Sequence, residues 1–549
     1  MQVRSLLRFA APLLAAPLAA QSYPLGTFGA SELDGGDFLG SSVDVSGSTL
    51  IAGAYAHSDP GSVGSGAAFV YERDAQGNWI TVKLETADKP DSSRYGYDVA
   101  LSEGVAVIGA PRDGAQGFTA GSTYVFERQP DSTWLEVAKL FGSDTDVGDE
   151  FGTSVAIDGD VLVVGAPTAS NGSSSSGAAY VFERQDGSWT QVAKLLSNDS
   201  QNQDLFGLSV GIDGSRVVVG ARGDDDLGSN SGSVYVFENQ GGTWVQETKL
   251  LASDGAGNDY LGYAVDISGE RVISGTWRKS SSKGQAYIWE RQGANNWVET
   301  AILLHPNGSS NDRFGWNVDL DGERALVGAP FDTVQFKTTA GSAHLFRLDS
   351  ALGWVHAQEY NNDPLQSDER VGMDVALDGG TYAIGASEVD LNGTDSGATL
   401  LGYSYDGTGV AGPLTQGTGT DGCLGTQPLV ATSAPLLGSP AFGIHCSNAP
   451  ASSNGFLIVG AAADLAGSDA LGLGVLLHID LIASGAALLV LDMPSDALGE
   501  AALGVPLPDD ANLDGVTLHA QSIWVWTSCS LPPNQLSSSQ LLSFTLTAF

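Results

Sequence analysis

Basic side chains are scarce in this sequence. Of its 549 residues, 24 are Lys or Arg and 64 are Asp or Glu, which gives a formal net charge of −40. A protein that binds nucleic acid electrostatically needs a basic surface to neutralise phosphates, and docking on an anionic membrane needs one as well. The composition therefore predicts no nucleic-acid partner and no attachment to anionic lipid. An acidic excess is typical of a protein that stays hydrated and soluble.

Cysteine is nearly absent, and the three that occur (Cys423, Cys446 and Cys529) all lie late in the chain. Three residues cannot form a disulfide scaffold for a chain of this length. One disulfide and one free thiol are expected, and the sequence leaves the pairing open.

Long apolar runs are missing beyond the first 20 residues. Arg4 and Arg8 precede an apolar stretch from Phe9 to Ala20, a pattern typical of a secretory signal peptide. The alternative, a membrane anchor, is disfavoured because the stretch is short for a membrane span. Residues 1–20 are therefore predicted to be a signal peptide. The mature chain is expected to be secreted, extracellular or at the cell surface, without a transmembrane segment and monomeric.

Helical periodicity is also lacking, and a β-type repeat takes its place. An aromatic-Gly step is followed by a Val that recurs every 53 to 57 residues, at Val43, Val99, Val155, Val210, Val265, Val318 and Val375. A Gly follows each Val by ten residues, from Gly53 to Gly385. Seven repeats with one internal spacing indicate a repeat architecture.

Each repeat contains four strand-like pieces, with Asp-Gly turn signals such as Asp158-Gly159 between the first two. Stacked four-stranded units of this kind predict an all-β fold, a seven-bladed β-propeller over residues 21–408. A linear solenoid is the alternative, and the lack of polar capping repeats disfavours it. The segment Ser22 to Phe28 aligns with the outer strands and is predicted to close the ring in the seventh blade.

The repeats resemble FG-GAP repeats, the units of the integrin α-subunit propeller. Phe151-Gly152 with Gly165-Ala166-Pro167, and Phe314-Gly315 with Gly328-Ala329-Pro330, carry the resemblance. It is closest to the short-loop form of secreted bacterial proteins, and it implies an extracellular propeller with a role in adhesion or ligand binding. The family's calcium loops are replaced here by tight turns, which offer too few oxygens for calcium. No metal and no cofactor are expected.

A second domain is predicted after the repeats. Residues 409–425 have the composition of a linker, and residues 426–549 are expected to form a smaller C-terminal β-sandwich-like domain. Gly422-Cys423 and Leu518 to Gln521 weakly resemble C-terminal domains of secreted planctomycete proteins. Such a domain implies either surface attachment or a plain structural role.

Short catalytic and adhesive motifs have simpler explanations here. Ser209 lies in a G-x-S-x-G match, but a nucleophile elbow needs a strand-to-helix turn and this serine falls in a predicted strand. Arg222-Gly223-Asp224 is an RGD tripeptide, and a given tripeptide often occurs by chance in a chain of this length. The seven His residues show no metal-ligand spacing.

The loops between the second and third strands vary most, and variable loops on a rigid scaffold are common binding sites. Two adjacent repeats carry unusual charges in these loops, an acidic triplet and a basic loop with a Trp: Asp224, Asp225, Asp226, and Trp277, Arg278, Lys279, Lys283. These are the candidate ligand-binding residues, with solvated loops as the simpler interpretation. The expected function is a secreted, non-enzymatic propeller that binds an extracellular protein or glycan through the face formed by the 2–3 and 4–1 loops. The alternatives are a polysaccharide-acting enzyme on this scaffold and a structural cell-surface or matrix protein.

Overall fold

The computed structural model describes residues 23–403, except 60, 74–78, 87, 89, 363–365, 380 and 392–393, and beyond 403 it describes eleven short strands. Residues 23–403 form seven four-stranded antiparallel sheets around a channel. The predicted seven-bladed propeller is confirmed. Within the described residues, helix is limited to one turn at Lys279–Ser282.

The first six blades are each built from four consecutive strands, numbered here from the channel outwards. Blades 1 to 3 comprise Ser42–Ser46, Thr49–Ala54, Ala67–Arg73 and Trp79–Lys83; Val99–Ser102, Val105–Ala110, Ser122–Arg128 and Trp134–Leu140; and Ser154–Asp158, Val161–Ala166, Ala178–Gln185 and Ser188–Leu195. Blades 4 to 6 comprise Val210–Asp213, Arg216–Ala221, Ser233–Asn239 and Trp244–Leu250; Ala264–Ser268, Arg271–Thr276, Gln285–Arg291 and Trp297–Leu303; and Val318–Asp321, Arg324–Ala329, Ser342–Asp349 and Gly353–Tyr360.

The second strand of each blade is buried on both faces. In blade 3, Leu162, Val163 and Val164 are all fully buried, although their side chains alternate between the two faces of the sheet. Their burial follows from the radial arrangement, because each sheet packs between two neighbours. This explains why the second strand is continuously apolar, whereas the outer strand alternates between exposed and half-buried residues, as in Trp134–Leu140.

The two glycines of each repeat allow adjacent blades to approach closely. Gly53, at the end of the second strand of blade 1, lies against Gly96 of blade 2, and a Cβ at Gly53 would overlap the Gly96 carbonyl oxygen. Gly96 has a φ of +83°, in the left-handed region that favours glycine. The recurring glycines are therefore needed for contact between blades.

Blade 7 closes the ring with a strand from the start of the propeller. It contains Val371–Asp378, Thr381–Ala386 and Ala398–Tyr403, and its outer strand is Tyr23–Phe28, which pairs antiparallel with Ala398–Tyr403. The predicted ring closure is confirmed. The backbone N–H of Val43 in blade 1 also donates to Asp374 Oδ2 in blade 7 at 2.7 Å.

The strands beyond residue 403 are short. They are Leu414–Gln416, Leu429–Ala431, Gly443–Cys446, Asn454–Gly460, Ala463–Ser468, Leu477–Ile479, Leu488–Pro494, Ala501–Gly504, Thr517–Val525, Leu536–Ser538 and Leu541–Thr545. The predicted sandwich, the domain boundaries and the disulfide pairing stay predictions, and the predicted signal peptide lies outside the described residues. Among the described residues, no helix has the length and apolar character needed to cross a membrane.

Candidate functional site

The inner strands of all seven blades line a cavity of about 530 Å³ in the channel. Ten carboxyl groups lie in its wall. Five of these lie before the last residue of an inner strand, and each accepts a backbone N–H from an adjacent blade: Asp44, Asp98, Asp266, Asp319 and Asp374. For example, the N–H of Leu101 donates to Asp44 Oδ2 at 2.6 Å, and that of Val155 donates to Asp98 Oδ2 at 2.7 Å. These acids connect neighbouring blades.

Burial makes the channel carboxyls weak acids. It raises the pKa of Asp44 to about 8 and that of Asp98 to about 6. Burial also raises the pKa of Asp266 and of Asp319, whose side chains are hydrogen-bonded to each other. Two carboxyls in such contact cannot both be ionised without strong repulsion, and this repulsion also raises the pKa of Asp266.

Ser209, in the G-x-S-x-G match, has the same kind of structural role. Its Oγ accepts the N–H of Val265 in the next blade at 3.0 Å. The strand Val210–Asp213 follows it, rather than the helix that a nucleophile elbow requires. The motif is therefore explained by contact between blades.

The acidic triplet is largely engaged within its own blade. Lys249 Nζ lies 2.7 Å from a carboxylate oxygen of each of Asp199, Asp224 and Asp226. Asp224 is only 2% exposed and also accepts the hydroxyl of Tyr235 at 2.8 Å. The ammonium group thus takes the position that a bound cation would occupy, and the aspartate of the RGD tripeptide is buried.

The same network recurs in blade 2, where the Tyr124 hydroxyl donates to Asp113 at 3.0 Å and Lys139 lies 2.9 Å from the same carboxylate. The Tyr–Lys–Asp network is therefore a repeated structural device. Asp225, by contrast, is exposed and accepts the backbone N–H of Asn230 at 2.6 Å.

The basic loop divides between two environments. Lys279 is buried and pairs with Asp254 at 3.1 Å and with Asp259 at 2.8 Å. Lys283 is partly buried. Arg278 is exposed, and its Nη1 donates to the Tyr260 hydroxyl at 2.6 Å.

Trp277 is half-buried in a group of aromatic rings, not free in solvent as its loop position suggested. Its ring centroid lies 6.0 Å from that of Tyr260, 5.8 Å from that of Tyr263 and 5.4 Å from that of Trp316. Trp277 and Arg278 therefore share one surface, whereas Lys279 and Asp224 are tied into ion pairs.

Arginines complete this surface. The Arg313 guanidinium lies 5.0 Å from the Trp277 centroid, 5.4 Å from that of Trp316 and 3.8 Å from that of Phe331. Arg222 lies over Tyr260 and Arg370 lies over Phe331, at 5.3 Å and 4.9 Å. We call this set the aromatic–arginine cluster: Arg222, Tyr260, Tyr263, Trp277, Arg278, Arg313, Trp316, Phe331 and Arg370.

The aromatic–arginine cluster lies at the end of the channel where the 2–3 and 4–1 loops meet. Five members of the cluster come shortly before an inner strand: Tyr260, Tyr263, Arg313, Trp316 and Arg370. The other four follow the end of a second strand: Arg222, Trp277, Arg278 and Phe331. The start of an inner strand and the end of a second strand lie at the same end of the channel. Burial raises the pKa of Tyr263 in blade 5, and Tyr97 of blade 2 acts in the same direction. Beside Tyr97, Arg94 lies 5.8 Å from its ring centroid.

Several polar groups in the aromatic–arginine cluster are unsatisfied. Within the described part of the chain, no hydrogen-bond partner is present for the buried Nε atoms of Arg222, Arg313 and Arg370 or for the Trp277 indole N–H. Burial lowers the pKa of Arg313, and the nearby Arg370 acts in the same direction. Arg370 pairs with Glu388 at 3.0 Å, but no carboxylate of the described residues lies within ion-pair distance of Arg222, Arg278 or Arg313. The cluster therefore presents N–H donors that have no hydrogen-bond acceptor among the described residues.

Sequence reasoning found Trp277 and Arg278 but missed the arginines and rings around them. A signal was present at the residue before the two-residue step that opens each repeat, which is aromatic-Gly in four blades, Leu-Gly in blades 1 and 5 and Val-Gly in blade 7. All seven residues there have a left-handed φ between 53° and 66°, and they are Phe38, Arg94, Glu150, Leu205, Tyr260, Arg313 and Arg370. Comparing this one position across the repeats would have shown that blades 5 to 7 carry Tyr and Arg there.

Comparison with known families agrees with this architecture. The FG-GAP repeat model matches six segments, which together span just over half of the chain: residues 27–71, 81–126, 134–182, 189–237, 244–289 and 297–346. No curated protein matched the chain. Each matched segment begins in the outer strand of one blade and ends in the third strand of the next, so the pattern follows the strand order of the propeller. The chain belongs to the FG-GAP repeat family.

Proposed function

We propose that this protein is a non-enzymatic binding propeller and that the aromatic–arginine cluster receives an anionic ligand, an acidic saccharide or another carboxylate. The observation that carries the proposal is the set of unsatisfied donors on Arg222, Arg313, Arg370 and Trp277, held among aromatic faces. Buried donors without acceptors are costly, and a ligand that brings oxygen atoms removes that cost.

The chemistry of the aromatic–arginine cluster favours this ligand class. Guanidinium groups bind carboxylates through paired N–H donors, and they stack on aromatic rings at the same time. Trp, Tyr and Arg are the residues most enriched at binding hot spots. In a protein of net charge −40, three arginines without a close carboxylate among the described residues are a strong local contrast.

The non-enzymatic part of the proposal rests on the residues that could have carried catalysis. The channel carboxyls and Ser209 are engaged in hydrogen bonds between blades. An extracellular or cell-surface location is part of the same proposal. It is supported by the apolar segment from Phe9 to Ala20 and by the family, whose repeats are typical of extracellular proteins.

The test is a binding screen with matched acidic and neutral oligosaccharides. We expect the purified protein to bind uronic-acid oligosaccharides and not their neutral counterparts. The double variant Trp277→Ala, Arg278→Ala should weaken binding by more than about 1 kcal/mol, and Arg313→Gln should do the same, because both remove hot-spot contacts.

Arg184→Ala is the matched control, since it removes an arginine that pairs with Glu127 at 2.7 Å, near the Asp158-Gly159 turn and away from the cluster. It should bind like the parent. Equal affinity of the cluster variants and the parent would exclude this site. Failure of every acidic oligosaccharide to bind would favour a structural role for the propeller.

A further inference from the structure

Blade 6 departs from the Tyr–Lys–Asp network of blades 2 and 4. Asp332 occupies the position of Asp113 and Asp224, but His344 stands where those blades have Tyr, and Glu359 stands opposite it in place of Lys. The ammonium group that neutralises the buried aspartate in blades 2 and 4 is therefore missing here. A second imidazole, from His305 in the linker between blades 5 and 6, enters the same space.

The imidazole and carboxylate groups converge. His305 Nε2 lies 3.1 Å from Asp332 Oδ2. The Ser342 hydroxyl donates to Asp332 Oδ2 at 2.8 Å and lies 2.9 Å from His344 Nε2. One ligand atom from each of His305, Asp332 and His344 falls within 4.8 Å of the others, and all three residues are buried.

We propose that His305, Asp332 and His344 form a binding site for a zinc ion in blade 6. Two imidazoles and a carboxylate are a common ligand set for Zn²⁺, whereas Ca²⁺ and Mg²⁺ prefer oxygen atoms alone. With zinc bonds of about 2.0–2.1 Å, ligand atoms at the corners of a tetrahedron lie about 3.3 Å apart. The three ligand atoms need only small side-chain movements to reach that spacing.

The surroundings of the site also suit a bound metal. His344 Nδ1 lies 3.2 Å from His356 Nε2, so the outer nitrogen of this ligand has a partner that fixes its ring orientation. Ser342 Oγ or a water molecule can take the fourth position. Asp332 and the cross-strand neighbour Glu359 supply negative charge near the cation.

The site has a structural role in this proposal. His305 comes from the linker between blades, Asp332 from the 2–3 loop and His344 from the third strand, so one ion joins three segments. Lys249 makes the equivalent connection in blade 4 through Asp199, Asp224 and Asp226. Zinc would thus replace a lysine that blade 6 lacks.

The experiment is zinc titration of the full chain after removal of metal with a chelator, followed by calorimetry and thermal unfolding. We expect the parent to bind one equivalent of Zn²⁺ that the His305→Ala and His344→Tyr variants do not bind. His344→Tyr introduces the Tyr that blades 2 to 5 have at this position, and His305→Ala covers the case in which that variant fails to fold. Zinc should raise the Tm of the parent and leave that of these two variants unchanged.

Two further variants make the result specific. His57→Gln removes another buried imidazole, which lies 2.7 Å from Asp37, and it should bind zinc like the parent. His356→Gln should weaken zinc binding by about 10–100-fold, the usual effect of losing the partner of a ligand. Cobalt in place of zinc should give visible absorption in the parent and not in His305→Ala. The proposal is overturned if the parent takes up no equivalent beyond these two ligand variants, or if its Tm does not respond to zinc.

Discussion

Acidic residues in this propeller behave according to their position. Asp225 is an exposed loop residue, Asp224 is a buried partner of Lys249, and Asp44 is a half-buried channel acid that accepts the N–H of Leu101. Position also affects acidity at Asp44, because desolvation in the channel wall raises the pKa of this carboxyl. The net charge of the chain does not reveal that these three carboxyl groups have different environments.

Replacement of Asp44 should make stability less dependent on pH. Its pKa of about 8 in the folded state is above the value of about 3.9 expected in the unfolded chain. The folded state therefore keeps a proton that the unfolded state releases, and the free energy of unfolding falls as the pH rises from about 4 to about 8. Asp44→Ala, which introduces the residue found at the equivalent Ala100, should reduce this fall by on the order of 5 kcal/mol, since each pKa unit corresponds to about 1.4 kcal/mol.

Chemical denaturation at several pH values measures this effect. Loss of the hydrogen bond from Leu101 lowers the stability of Asp44→Ala by a similar amount at each pH, so the slope with pH is the informative quantity. Asp225→Ala is the control, because that carboxylate is exposed. An unchanged slope in Asp44→Ala would contradict a raised pKa at this position.

The candidate site could be predicted only in part from single residues. Trp277 and Arg278 were chosen for their chemical contrast with the rest of the chain, and both belong to the aromatic–arginine cluster. Asp224 and Lys279 had the same appearance in the sequence, but their partners Lys249 and Asp254 lie 25 residues away in each case. Which charged side chains form ion pairs depends on tertiary contacts, which a single sequence does not show. The contact between His305 and His344 could not be predicted for the same reason.

At the scale of the strand, the sequence was highly informative. The Val and Gly spacing and the Asp-Gly turns predicted the strand order, since stacked blades impose the same packing requirement seven times. Even the closing strand, Tyr23–Phe28, followed from alignment with the other outer strands. The region beyond residue 403 has no such repetition, and its short strands could be proposed only from composition.

Deletion of residues 22–28 should destabilise the propeller and promote self-association. The deletion exposes the edge of Ala398–Tyr403, and an unpaired edge strand invites pairing with another chain. It also removes Phe28, whose ring lies 5.4 Å from Tyr71 and 4.9 Å from Trp79 in blade 1. We expect a Tm lower by several degrees and oligomers in analytical ultracentrifugation.

Phe28→Ala separates the two causes of that effect. This variant keeps the closing strand but loses the ring contacts with blade 1, so it should lose about 2–4 kcal/mol of stability and stay in the oligomeric state of the parent. A deletion variant with the parent's Tm and oligomeric state would show that this strand is not needed to close the ring.

At the scale of the molecule, the negative net charge of the chain opposes the binding of an anionic ligand at the aromatic–arginine cluster. The whole chain carries a net charge of −40, and no Lys or Arg follows Arg370. The aromatic–arginine cluster is therefore a small cationic surface within a strongly negative field. An anionic ligand, if it binds there as proposed, is repelled at long range and attracted only near contact.

The rate of association should therefore rise with salt before it levels off, the reverse of ordinary attraction between opposite charges. The screening length falls from about 30 Å at 0.01 M salt to about 8 Å at 0.15 M, so moderate salt removes the long-range repulsion but leaves contacts with Arg278 and Arg313 less affected. Stopped-flow measurements with a uronic-acid oligosaccharide from the screen would give the association rate over this range of salt concentrations.

Arg184→Ala should follow the parent, since it changes the net charge little and leaves the cluster intact. An association rate that falls steadily with salt would mean that local attraction dominates at every distance, and it would contradict the view that the net charge governs the approach of the ligand.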